Sequence, residues 1–168
     1  PPGFTEDDPE VFRRQVERLR QLTAKAGRDP DQLDICISAV VCVTETEAQM
    51  EQLRDNAYLR WWGMMFLPNS DLYAKWGIGE HPMGPGWMYA RKCVPHWLNR
   101  EEAMDIINRT PRESVDRVSM NGTVERVVEK LLPYIRAGAT HVLLTNAAPI
   151  AGVPDLAPQL MAALKQYE

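Results

Sequence analysis

The sequence predicts an α/β fold built on a parallel sheet, and two kinds of segment predict it. "DICISAVVCV" (Asp34 to Val43) and "HVLLT" (His141 to Thr145) are unbroken apolar runs. The first is apolar or small on both faces, as strands inside a parallel sheet are. Ahead of each run lies an amphipathic helical pattern closed by a glycine, Gly27 and Gly138. A helix feeding a buried strand belongs to a parallel sheet, and two such strands cannot be covered on both faces and closed by themselves. The chain therefore reads as part of a larger sheet.

Taken in order, Asp8-Pro9 opens the first helix, with Asp8 as N-cap and Pro9 where a missing N–H costs nothing. Phe12, Val16, Leu19 and Thr23 share one face. After the strand to Val43, Thr44-Glu45-Thr46-Glu47 has the form of a capping box, and Met50, Leu53 and Ala57 follow at helical spacing. From Tyr58 to Trp97 the periodicity breaks down, and this stretch holds all five tryptophans and a Gly/Pro cluster at 79–86. So long a run without regular structure has the character of a lid or binding loop. Asn99 with Glu102, and Thr110-Pro111-Arg112-Glu113, then mark two short helices. Val124 to Ile135 forms a wide apolar stripe in which Pro133 predicts a kink or a solvated turn. Leu156, Leu160 and Leu164 predict a last packing helix.

The 168 residues are 45% hydrophobic and 25% charged, which suits one globular domain with a real core. A net charge of −4 provides no basic face for nucleic acid, and no apolar run approaches the ~20 residues of a membrane span. Cys36, Cys42 and Cys93 lack metal-binding spacing and read as reduced thiols of a cytoplasmic protein. No signal peptide is legible. The opening Pro1-Pro2-Gly3-Phe4 has the look of a loop cut from something longer.

"GTVERVVEKLLPYIRAGATHVLL" (Gly122 to Leu144) resembles the last helix and strand of the bacterial-luciferase-like (β/α)8 oxidoreductases. "GIGEHPMG" (Gly77 to Gly84) resembles the excursion in the branch that uses the deazaflavin coenzyme F-420, which includes methylenetetrahydromethanopterin reductases and phthiodiolone ketoreductases. "AGRDPDQLDICISAVV" (Ala26 to Val41) resembles the sixth helix and seventh strand, and "PPGF" the loop after the sixth strand. A whole barrel runs to roughly 250 residues or more. The resemblance thus implies that residues 1–168 are the C-terminal part of a TIM barrel. Strands seven and eight are present, an excursion over 58–120 roofs the barrel mouth, and the N-terminal barrel half is missing. It also implies hydride transfer between a deazaflavin, or alternatively FMN, and a small or lipid-like substrate, with the fragment alone inactive.

Barrel active sites lie at the C-terminal ends of the strands, which makes Cys42, Thr44, Thr145 and Asn146 the candidates for a cofactor pocket. Each has a plainer reading. Cys42 is also a small buried hydrophobe, Thr44 an N-cap and Asn146 a turn former. Trp61, Trp62 and His81 are candidates for the substrate side, as an apolar channel with a titratable group at its border. Packing of the excursion or a subunit interface explains them equally well. His141, at the start of its strand, reads as structural. No nucleophile–base pair, metal cluster or carboxylate dyad is readable, as expected where the cofactor carries the chemistry. From a different class comes a non-catalytic interaction module that exposes the free edge of strand 35–43 and assembles into a homodimer.

Overall fold

An eight-residue strand of apolar and small residues, β1 (Cys36–Val43), stands at the centre of a three-stranded parallel sheet. The computed structural model describes residues 8–66, 70–87 and 98–167, without the side chains of Phe66 and Ser70. The opening Pro1-Pro2-Gly3-Phe4, and Cys93, His96 and Trp97, lie outside the described residues. β3 (His141–Asn146) runs along one side of β1, with Cys36 opposite His141 and Val41 opposite Asn146. Thr140 sets that register: its amide donates to the Ile35 carbonyl and its hydroxyl accepts from the Ile35 amide, both at 2.8 Å. On the other side sits β2 (Met120–Gly122), pairing only with Val41–Val43. The sequence reading found two strands and missed β2, because three residues are too few to carry a period.

Parallel pairing places register partners on the same face. Ile37, Ala39, Val41 and Val43, with Val142 and Leu144, face a layer of three helices. These are α1 (Pro9–Lys25), α7 (Val124–Arg136) and α9 (Ala157–Leu164). Phe12, Val16, Val127, Leu131 and Leu160 fill the space between. Asp8 caps α1 as the sequence predicts, and Thr123 caps α7. α7 continues through Pro133 to Arg136, because the backbone bond that proline forfeits lies in the last turns. Gly138 then turns the chain at φ 108°, where an added Cβ would lie 3.0 Å from Val16.

The second face is covered at one end only. Val40 and Cys42 pack under Leu53, Leu59, Val115 and Ala148. These come from α2 (Glu47–Asp55), α3 (Ala57–Phe66), α6 (Val115–Val118) and α8 (Ala148–Ala151). Toward the start of the strands Cys36, Ser38, His141 and Leu143 face outward, and Leu143 is 60% exposed. Burial of both strands on both faces, as the apolar runs predict, therefore fails here, since nothing among the described residues covers this half.

The stretch from Tyr58 onward is not structureless. It holds α3 and α4 (Ser70–Lys75) before the glycine-rich loop, and α5 (Arg100–Arg109) follows. α3 (AYLRWWGMMF) packs on two sides, Leu59 and Trp62 toward the sheet and Met64 and Trp61 toward Trp87 and Ile106. A helix whose apolar residues point to two sides shows only a weak amphipathic period, which is why the pattern hides it. Its cap is Asn56, whose Oδ1 accepts from the amides of Tyr58 and Leu59. Two predicted caps also move. Thr46 with Gln49, not Thr44, forms the capping box of α2. Thr110 is not an N-cap but the C-cap of α5: its hydroxyl donates to the Ile106 carbonyl, and a 3₁₀ turn follows at Arg112–Ser114. Asn99 and Glu102 cap α5 as expected. Arg54 bridges Glu51 and Asp116, and Arg112 bridges Glu51 and Asp55, which ties α2 to that turn and to α6. No helix among the described residues is long and apolar enough to cross a membrane.

Gly63 is the tightest point of this layer: a Cβ there would lie 2.1 Å from Ser114 Oγ. Gly63→Ala is expected to lower stability by about 1–3 kcal/mol by overpacking, with partial recovery when Ser114→Gly is added. An unchanged urea midpoint for the single variant would exclude this contact.

Candidate functional site

Because the three strands are parallel, their C-terminal ends gather at one edge of the sheet. Cys42 lies at the end of β1 with Thr44 just beyond it, Asn121 and Gly122 end β2, and Thr145 and Asn146 end β3. Cys42 is fully buried, and burial aided by the Asp155 carboxylate pushes its thiol up to about 11. It is an inert thiol at neutral pH. Thr44 is buried as well, and its amide donates to the Gly122 carbonyl at 2.8 Å, prolonging the β1–β2 ladder. Thr145 is exposed, on the face of Val40 and Cys42. Asn146 stands opposite Val41 on the other face. Its Nδ2 donates to Asp155 at 2.8 Å and its Oδ1 accepts from the Ala148 amide at 3.0 Å. The four strand-end candidates thus share one end of the sheet but divide between two faces.

The substrate-side candidates lie elsewhere. Trp61 lines an apolar groove of about 360 Å³ with Ala57, Tyr58, Leu98, Ala103 and Ile107. No strand residue lines it. Trp62 packs inward between two core clusters, with Tyr58 against it at 5.0 Å between ring centres. His81 is 4% exposed, stacked on Trp87 and edge-on to Tyr73, both at 4.7 Å. Its Nδ1 accepts from the Met83 amide, so Nε2 carries the proton and donates to the Met64 carbonyl, both at 3.2 Å. As placed, His81 spends both ring nitrogens on the loop that holds it.

Sequence reasoning missed Asn121. It stands opposite Cys42, is 3% exposed, and neither Oδ1 nor Nδ2 has a hydrogen-bond partner. Its carbonyl accepts from Lys130 Nζ at 3.0 Å, across the outer edge of β2. Burial, with the nearby Arg126 charge, lowers the Lys130 pKa, and Asp116 opposes the shift. The available signal was a polar residue directly before Gly122-Thr123, which capping alone does not require. Among the described residues no group of three or more His, Cys, Asp or Glu could hold a metal.

Residues 3–141 match the luciferase-like monooxygenase family. The phthiodiolone/phenolphthiodiolone dimycocerosates ketoreductase of Mycobacterium sp. (strain JLS) is 23% identical over 140 residues, covering 83% of this chain and 36% of the relative. The proteins of the same name from Mycobacterium kansasii and Mycobacterium tuberculosis (strain ATCC 25618 / H37Rv) are 24% and 20% identical. Each match again covers 83% of this chain, and 37% and 36% of the relative respectively. The chain thus spans little more than a third of the length of these curated relatives. No solved structure matches it.

Two outcomes follow from the site. Burial lowers the His81 pKa below 6.5, against the opposing Met64 carbonyl. The folded chain therefore binds fewer protons than the unfolded chain, so this histidine contributes no penalty above that value. Stability falls as pH drops below 6.5 and levels off under the folded pKa, with a slope of at most about 1.4 kcal/mol per pH unit. His81→Phe should remove that component of the melting-temperature profile; a profile unaltered by the substitution would exclude it. Alkylation followed by peptide mapping should modify exposed Cys36 and spare Cys42. Equal labelling of the two would contradict the packing described.

Proposed function

The chain belongs to the luciferase-like monooxygenase family, and from that membership we propose that it is part of an oxidoreductase whose cofactor is the deazaflavin coenzyme F-420. The observation that carries this reading is the uneven cover of the sheet, complete on one face and confined to the strand ends on the other. Helices pack the face of Val41 and Val142, while Ser38 and Leu143 on the other face stay open. That is the asymmetry of a barrel wall, with helices outside and an interior that needs further strands. In this reading the remaining strands come from polypeptide beyond these 168 residues, in keeping with relatives more than twice as long.

The strand ends offer a fit for a flavin-type group. Asn121 keeps an enclosed carboxamide without partners, and exposed Thr145 stands on the same face. When bound, a reduced deazaflavin supplies a hydride to an electrophilic carbon, and a carbonyl that also takes up a proton becomes an alcohol. The chain's residues position and shield. Thr145 meets the cofactor at the strand ends, and Cys42 and Thr44 back it from the buried layer. Asn146 steadies the same end from the opposite face through Asp155, and apolar packing around Cys42 keeps water out. Trp61, on its groove, shapes the approach of a lipid-like substrate, while Trp62 and His81 hold the packing of the surrounding helices and loop. The ketoreductase relatives, named for dimycocerosates, support that substrate class.

The test is titration of the protein expressed from its full reading frame with F-420 and with FMN, followed by fluorescence. Saturable binding of the deazaflavin in preference to FMN is expected, with oxidation of the reduced form by a long-chain ketone. Preference for FMN would move the protein to the flavin monooxygenase branch, and binding of neither would end the cofactor reading. Strand 35–43 does not offer the free edge that the interaction-module reading expects, because β1 is the central strand, paired with β3 on one side and with β2 at Val41–Val43 on the other. What favours that second reading, a non-catalytic module that forms a homodimer, is the open edge of β3 with exposed Leu143. Light scattering of a stable dimer that ignores both cofactors would select it.

A further inference from the structure

Asn121 occupies a position where asparagine has no structural task. Strands are poor in asparagine, the N-cap of α7 is Thr123, and the side chain takes part in no hydrogen bond. Among the described residues it is the strand side chain whose buried polar atoms lack partners, and both of them do. Enclosing an amide in this way is unfavourable, and an apolar residue of the same size would avoid the cost. The backbone beneath it is held from both sides. Cys42 is its register partner on β1, Thr44 bonds the neighbouring Gly122 carbonyl, and Lys130 bonds its own carbonyl across the free edge. The carboxamide is thus a rigidly mounted pair, one acceptor beside one donor group, at the C-terminal edge of a parallel sheet, where α/β folds bind their ligands.

A planar lactam or imide, with N–H beside C=O, answers such a pair with two parallel hydrogen bonds. Flavins and deazaflavins both carry that edge on their pyrimidine ring. We propose that Asn121 is a cofactor-positioning residue that binds the pyrimidine edge of a flavin-type ring, an inference that rests on the cofactor reading above. α6, the four-residue helix that packs on β2 and is tied to Arg54 through Asp116, must shift to admit the ring. The contact turns a buried cost in the free protein into binding specificity for the ring's polar edge.

The experiment uses the product of the full reading frame and compares it with Asn121→Leu, and with Asn121→Ser should the leucine variant not fold. Two quantities are read: the dissociation constant for F-420 or FMN by fluorescence, and the melting temperature without cofactor. The expected result is a dissociation constant raised tenfold or more, with a melting temperature unchanged or higher. Unchanged affinity in the variants overturns the assignment and leaves the cofactor reading standing. A lower melting temperature with unchanged affinity overturns it too and makes the amide a structural group satisfied by enclosed water. Failure of the unmodified protein to bind either cofactor overturns the cofactor reading, and this assignment falls with it.

Discussion

The fold depends on how one strand, β1, satisfies its backbone and its two faces. A parallel strand cannot turn back on itself, so its partners must arrive by crossover connections that carry helices. The chain from β1 to β2 supplies α2 to α6, and the chain from β2 to β3 supplies α7. The Ile35–Thr140 bonds start the ladder with β3, and the Thr44–Gly122 bond extends the ladder with β2. A one-residue slip would turn Ile37, Ala39 and Val41 away from the α1–α7–α9 layer. The apolar face and the terminal hydrogen bonds therefore enforce the same register.

The second helical layer has a different logic. It closes only the end of the second sheet face where Val40 and Cys42 lie, by close approach rather than by bulk. Gly63 allows α3 to touch Ser114, Asn56 joins the end of α2 to the start of α3, and Arg60 bonds the carbonyls at the end of α5. The Arg54 and Arg112 ion pairs hold α2 against the same region. Together these contacts make the layer one unit, with the strand ends on its inner side. The Trp61 groove belongs to its helices alone, between α3 and α5.

Much of this was legible in advance. The caps at Asp8 and Asn99, the glycine stops, both long strands and the stripes of α7 and α9 all rest on neighbours within about four residues, the range a local pattern can report. α3 was hidden because packing on two sides weakens its period, and β2 because its identity as a strand comes from Val41–Val43, nearly eighty positions away. Cys42, Thr44, Thr145 and Asn146 lie at one end of the sheet because strand direction alone decides that position.

Which way each of them faces was a tertiary matter. Asn146 turns to Asp155, His81 is consumed by Met64 and Met83, and Asn121 emerges as the strand residue with an unspent amide. The sequence by itself determined the α/β class, the parallel sheet and the helices that feed it, because backbone propensity and apolar period are local properties. Only the tertiary structure decided which strand face is covered and which polar side chains are left without partners. Burial and hydrogen bonding are settled by residues far apart in the chain, and no short stretch of sequence contains both members of the pair.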